Sequence, residues 1–262
     1  MINDKDWLQA ILDSLKTSDL KVDGIALPSF PDADVSDLTI TNGRSEAMLK
    51  GAFALYSHVK RASATHGRPL EANSQVLDFG CGWGRIARFF LREIPLENLY
   101  GVDVVPKLIE VCRDTFNSEN FTAISQTGTL PFSDATFDIA FANSVFSHLD
   151  EALNLSWMRE IHRVLQPGGL AMLTIIDPKK FVIMADGAKD WMDKIGVDVK
   201  QTQKDIEAAG FYWHTTQRKG ELTGYGLAVI TPDWIAKNWG EEFEVLETIE
   251  DYHQMILVLK KR

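Results

Sequence analysis

Cysteine is nearly absent: Cys81 and Cys112 are the only two in 262 residues. They lack the spacing of a metal site and cannot build a disulfide framework, which fits a reducing compartment. No run approaches the about 20 apolar residues that a membrane-spanning helix needs. Basic residues are outnumbered, 27 Lys and Arg against 37 Asp and Glu, and form no block. A formal net charge of −10 counts against a nucleic-acid-binding face, though not against a small or cationic ligand. The opening MINDKDWLQAILDSL is acidic and amphipathic, without the basic start and apolar run of a signal peptide. The expected location is therefore cytoplasmic, with neither nucleic acid nor membrane as partner. No internal repeat or low-complexity tract is present. What remains is an ordinary globular composition, 45% hydrophobic and 24% charged, enough for one large α/β domain with or without an elaboration.

The most informative stretch is Val76 to Phe90, VLDFGCGWGRIARFF. It reads as a buried strand, a glycine turn at Gly80, Gly82 and Gly84, and the start of a helix. Such a turn is expected to bring backbone N–H groups and a helix N-terminus to a ligand. The spacing is G-x-G-x-G, not the G-x-G-x-x-G of a dinucleotide turn. Asp78, two residues before the first glycine, would repel a pyrophosphate and suit a cation such as an α-ammonium group. The alternative is an Asp that only caps the helix.

Residues 1 to about 20 and Arg44 to Ala64 carry helical patterns on either side of an irregular stretch, 24–43. They are expected either to cap the strand ends or simply to cover core. After the glycine turn, LYGVDV (99–104) is a second strand, and Asp103 at its tip is placed to accept from a ribose diol or to cap the next helix. FTAISQ (121–126), FDIAFANS (137–144) and LAMLTII (170–176) are the third, fourth and fifth strands. A helix lies between the last two and is broken by QPGG. The alternation of strand and helix predicts a doubly wound parallel sheet with its ligand beyond the strand ends. It lapses between 177 and 225, where an aromatic run, FYWHTT, stands. A short helix capped at Thr231 and a terminal strand pair close the chain.

Four segments stand in a telling order: VLDFGCGWGR, YGVDVV, LPFSDATFDIAFANSVFSHLDE and LQPGGLAML. Together they resemble class I S-adenosylmethionine-dependent methyltransferases of the small-molecule type, over roughly residues 70 to 176. The resemblance implies a Rossmann-like sheet of seven strands, the last antiparallel and inserted beside the fifth. With the helical patterns before it and the lapse of alternation after it, the expected organisation is an N-terminal helical cap (1–69) and a methyltransferase domain (70–262) with an insertion at 177–225. It assigns the methionine-side amino group of S-adenosylmethionine to Asp78, the close backbone approach to Gly80, Gly82 and Gly84, the ribose hydroxyls to Asp103, and the sulfonium side to Asn143. Cys81, Arg85, Val104 and Thr127 flank those positions and complete the expected cofactor surface. Many relatives carry an acid where Gln126 stands; the Gln126 amide oxygen offers a neutral acceptor for the adenine amino group.

Methyl transfer from a sulfonium is an in-line displacement that needs positioning and desolvation above all. A hydroxyl nucleophile also gains from a general base, for which His is suited. His148, just past the fourth strand, and His253, read as starting the last strand, are the candidates. Tyr225, between Gly224 and Gly226, and His214 in the aromatic run are the candidates for touching the acceptor. The expected activity is methylation of a hydroxyl or amine of a small metabolite or sugar. The alternatives are a non-catalytic S-adenosylmethionine-binding protein and a Rossmann oxidoreductase.

Overall fold

The computed structural model of the chain describes residues 2–17, 20–31, 45–216 and 225–262. Most of the irregular stretch, from residue 32 on, lies outside the described residues, as do Arg44 and Gly224. The chain divides into two compact units. One is residues 1–125 with 137–141; the other is residues 126–136 with 142–262.

The first unit holds α1 (Asp4–Asp13), β1 (Lys21–Val22), β2 (Ile25–Ala26), α2 (Glu46–Thr65), β3 (Val76–Phe79), α3 (Ala87–Phe90), β4 (Leu99–Asp103), α4 (Pro106–Phe116), β5 (Phe121–Ala123) and β6 (Phe137–Ala142). The Ser45 hydroxyl caps α2 by accepting the Met48 amide, and Leu49, Ala52, Leu55, Tyr56, Val59 and Ala62 bury one face at helical spacing. That face meets α3. The ring of Phe53 lies edge-on to Phe89, and Tyr56 edge-on to Phe90. The Tyr56 hydroxyl donates to the Glu93 carboxylate, 2.7 Å from its nearer oxygen. The indole of Trp7 donates to the Phe89 carbonyl, so α1 is tied down as well. β3 is buried on both faces, as a central parallel strand must be. It pairs in parallel with β4 and β6, and β4 with β5. β5 stops at Ala123, three residues short of the end expected at Gln126, and β6 stops at Ala142 rather than Ser144.

The second unit holds α5 (Glu151–Val164), β7 (Leu165–Ile175), α6 (Pro178–Gly187), α7 (Lys189–Ile195), α8 (Val199–Ala209), β8 (Phe211–Thr215), β9 (Gly226–Ile230), α9 (Pro232–Trp239), β10 (Phe243–Ile249) and β11 (Met255–Lys261). QPGG does not separate α5 from the fifth strand. β7 begins at Leu165, directly after α5, with Gly168 at a positive φ of 70° that glycine adopts without steric cost. The ladder to β11 runs from Leu170 to Ile175, antiparallel, and β10 pairs antiparallel with β11. Thr231 caps α9 as expected, accepting the Trp234 amide. The segment after β7 folds as α6, α7, α8 and the antiparallel hairpin β8–β9 around Ile176, Phe181, Met192, Ile206 and Val229.

The strand order is β10-β11-β7-β6-β3-β4-β5. This is the expected seven-stranded Rossmann-like sheet, with the last strand antiparallel beside the fifth sheet strand. Among the described residues no helix is long and apolar enough to cross a membrane.

Candidate active site

In the first unit the glycine turn is held from β4. The amides of Gly80 and Cys81 both donate to the Val102 carbonyl, at 2.8 and 3.0 Å, and the Gly84 amide donates to the Cys81 carbonyl. The Gly82 amide donates to Asp103 Oδ2 at 2.9 Å, while Asp103 Oδ1 accepts the Val105 amide at 2.9 Å. The expectation that this turn offers free N–H groups is therefore corrected: those amides are already bonded within the protein. α3 is a single four-residue turn, so a helix N-terminus does not serve either. Its amides mix the two closures, Phe89 on the Ile86 carbonyl at i−3 and Arg88 on the Gly84 carbonyl at i−4. What the glycines supply is conformation. At Gly84, φ is +75° and an added Cβ would lie 2.4 Å from the Phe116 ring.

Asp78 is 1% exposed. Its carboxylate accepts from the Ala87 amide, which is the capping alternative realised, yet Oδ2 has no partner among the described residues. Burial, then the nearby charge of Asp103, pushes its pKa well above the ordinary carboxylate range, and Arg85 offsets this only in part. Burial also raises Asp103, opposed by its backbone hydrogen bonds. A buried carboxylate with an empty acceptor lone pair is poised for a cationic donor. Arg85 donates to the Met48 carbonyl. Cys81 and Cys112 are both buried, free thiols. Cys112 donates to the Gly82 carbonyl, and burial and Cys112 itself push the Cys81 thiol up. Val104 follows Asp103 at the end of β4, and its amide also faces the Asp103 carboxylate.

In the second unit Gln126 gives its backbone carbonyl to the indole of Trp157 at 3.1 Å, and Thr127 is exposed beside it. Asn143 accepts the Tyr252 hydroxyl on Oδ1 at 3.2 Å. His148 is the best-organised candidate. Its Nδ1 lies 2.7 Å from the Gly226 carbonyl, which can only accept, so Nδ1 carries the proton and Nε2 keeps its lone pair. Nε2 stands 3.3 Å from Ser144 Oγ, and the ring stacks on Tyr225 with centroids 4.6 Å apart. Ser144 has a positive φ of 57°, unusual for a residue with a side chain, and its amide donates to Thr174 Oγ1. Gln254 Nε2 donates to both Ser144 and Ser147, while its Oε1 is buried without a partner among the described residues.

The structure thus groups Asp78, Gly82 and Asp103 in one unit, and His148 with Tyr225, and Asn143 with Tyr252, in the other. It does not bring His214 to His148: His214 Nε2 bonds the Ile195 carbonyl at 2.7 Å. His253 does not start the last strand. β11 begins at Met255, and His253 is exposed while its neighbours Tyr252 and Gln254 are buried. Sequence reading missed Ser144, Ser147, Tyr252 and Gln254. The spacing of Ser144, Ser147 and His148 (i, i+3, i+4) was a usable signal for one shared face of a turn.

The chain matches a family model described as a methyltransferase domain over residues 77–173. A demethylmenaquinone methyltransferase of Thermotoga maritima is 32% identical over 186 residues, covering 67% of this chain and 73% of that protein. A ubiquinone/menaquinone biosynthesis C-methyltransferase of Desulfotalea psychrophila is 30% identical over 111 residues, covering 42% of this chain and 44% of that protein. A solved S-adenosylmethionine-dependent methyltransferase of Clostridium acetobutylicum shares the fold, with a TM-score of 0.55 at 11% identity over 87% of this chain and 96% of that one. The chain belongs to the class I S-adenosylmethionine-dependent methyltransferases. It spans less than half the length of several curated relatives that it matches.

Proposed function

We propose that this chain transfers the methyl group of S-adenosylmethionine to a hydroxyl or amine of a small metabolite or sugar, with His148 as general base. The observation that carries the reading is the 2.7 Å contact of His148 Nδ1 with the Gly226 carbonyl. The Gly226 carbonyl holds Nδ1–H, which leaves Nε2 as the acceptor for a proton at the end of the fourth sheet strand.

The residues present fit the cofactor. Asp78 Oδ2 is a buried acceptor without a partner among the described residues, suited to the amino group of the methionine moiety. Asp103 spends one lone pair of each oxygen on the turn and retains capacity for ribose hydroxyls, since a carboxylate accepts at about four sites. Gly80, Cys81, Gly82, Gly84, Arg85 and Val104 complete the proposed cofactor residues of the first unit; Gln126, Thr127 and Asn143 are those of the second. When bound, the cofactor supplies an electrophilic methyl carbon. His148 Nε2 takes the acceptor's proton, Ser144 orients that nitrogen, and the stack on Tyr225 fixes the ring plane. Asn143, its carbonyl engaged by Tyr252, has its amide hydrogens to offer. Residues 1–69 are the proposed cap over the strand ends, which is supported by Arg88: it reaches the Pro28 carbonyl, and its guanidinium stacks on Phe30 and Trp83. Residues 70–262 form the catalytic domain, with acceptor choice in the insertion 177–225. The net charge of −10 favours a small molecule over nucleic acid as partner, and two free thiols suit the cytoplasm.

A second reading, methylation of carbon on a quinone precursor, is favoured by the Desulfotalea relative's name as a C-methyltransferase of ubiquinone/menaquinone biosynthesis and by the Thermotoga relative's as a demethylmenaquinone methyltransferase. A screen of hydroxylated, amino and quinol acceptors, read as S-adenosylhomocysteine formation and product mass, separates the readings. Turnover with alcohols or amines alone supports the first. Turnover with quinols alone would transfer the assignment to carbon, and no turnover across the screen would count against both.

A further inference from the structure

We propose that the cleft between the first turns of α5 and the strand β8 binds a flat, cationic amine. This deepens the proposed function and rests on it only in making that amine the methyl acceptor.

The cleft is shallow and open to solvent, offers about 580 Å3 and is lined by Asp150, Glu151, Ala152, Leu155, Phe211 and Trp213, a size that suits a small ligand. Its wall follows from strand parity. Phe211 and Trp213 leave β8 on one face, and Tyr212 leaves on the other, packed against the helical insertion. The indole of Trp213 is clamped: Nε1 donates to the His148 carbonyl at 3.3 Å. An added Cβ on Gly226 would lie 2.7 Å from Trp213 Nε1, so only glycine lets the indole lie against that backbone. The aromatic wall is thus joined to the two residues, His148 and Gly226, that form the proposed base.

The other side is acidic. Asp150 Oδ1 caps α5 through the Leu153 amide, and Glu151 Oε1 accepts the Trp234 indole N–H. Each carboxylate keeps a second oxygen. The helix N-terminus contributes roughly half a positive charge, which two carboxylates outweigh, and no basic side chain stands among the lining residues. An anion is therefore disfavoured where a bare helix end would attract one. A positive charge facing an indole and two carboxylates is favoured, because tryptophan is the strongest cation–π partner.

The probe is tryptamine, with indole as neutral control and indole-3-acetate as anionic control, each titrated into 15N-labelled protein. The indole N–H signal of Trp213 is identified by its loss in Trp213→Phe. Tryptamine is expected to shift that signal with at least tenfold higher affinity than indole, and indole-3-acetate to bind weakest. Asp150→Asn with Glu151→Gln keeps the cap and the acceptor for Trp234 while removing both charges. It should reduce tryptamine to the affinity of indole. Equal binding of the three probes, preference for indole-3-acetate, or no shift of the Trp213 signal would overturn the proposal. S-adenosylhomocysteine is titrated into the same samples. Its binding without a tryptamine response overturns the cleft alone; a tryptamine response without its binding upholds the cleft and overturns the methyltransferase reading.

Discussion

The carboxylate of Asp103 holds the amide of Gly82 at 2.9 Å, so the acid at the tip of β4 fixes the middle of the glycine turn. The same carboxylate holds the Val105 amide. Asp103, the proposed ribose acceptor, therefore also shapes the turn. Asp103→Ala leaves the Gly82 and Val105 amides, and the Val104 amide that also faces the carboxylate, without their partner, at about 1–3 kcal/mol for each buried unsatisfied group. The variant is expected to melt several degrees lower and to bind S-adenosylhomocysteine at least tenfold more weakly. Thermal denaturation and calorimetry check the two effects, and unchanged affinity would remove Asp103 from the cofactor surface.

The proposed role of Asp78 makes cofactor binding depend on pH. Its folded pKa lies above the unfolded value, so the advantage of its protonated form is full below the ordinary carboxylate range, near 3.8. That advantage is lost as pH rises through the folded value. The apo protein should gain stability from Asp78→Asn at neutral pH and not at pH 3. A bound ammonium group stabilises the carboxylate, so wild-type binding should release protons within that same window. Calorimetry in buffers of differing ionisation enthalpy reads the release. A variant that bound as tightly as wild type would refute the role of Asp78.

His148→Ala should lower turnover by about 10²–10⁴, the usual contribution of a general base, with cofactor affinity retained. The acid limb of the pH–rate profile should disappear with the imidazole. Ser144→Ala should leave that limb in place and lower the rate by a smaller factor, because Ser144 orients the ring. A pH–rate profile of His148→Ala that matched wild type would exclude the base.

Gly84→Ala tests the turn as a scaffold. A Cβ there combines a positive φ with an approach of 2.4 Å to Phe116. A loss of about 2–4 kcal/mol is expected from strain and overpacking together, read by urea denaturation. A loss below about 0.5 kcal/mol would show that the turn adapts freely.

Much of this was legible in the sequence because each segment carried its own periodicity. β3, β4, β6 and β7 are short apolar runs bounded by turn signals, and α2 and α5 repeat at helical spacing. The order of the glycine turn, Asp103 and the segment before His148 defined the sheet. Two kinds of feature were not legible. Whether the amides of Gly80, Cys81 and Gly82 point outward depends on the Val102 carbonyl and Asp103, more than 20 residues away. The parity of the 250–254 turn is set by packing: Lys180 donates to the carbonyls of Glu250 and Tyr252, with Tyr252 and Gln254 buried and His253 exposed. Sequence pattern singled out the histidine, while the buried hydrogen-bonding groups belong to its neighbours.

The most direct test of the account is calorimetric titration of the purified chain with S-adenosylmethionine and S-adenosylhomocysteine, with NAD as control. One site of micromolar affinity for both sulfur compounds, weakened at least tenfold in Asp78→Asn and with no response to NAD, is the predicted result. Binding of NAD, or no binding of either sulfur compound, would contradict it.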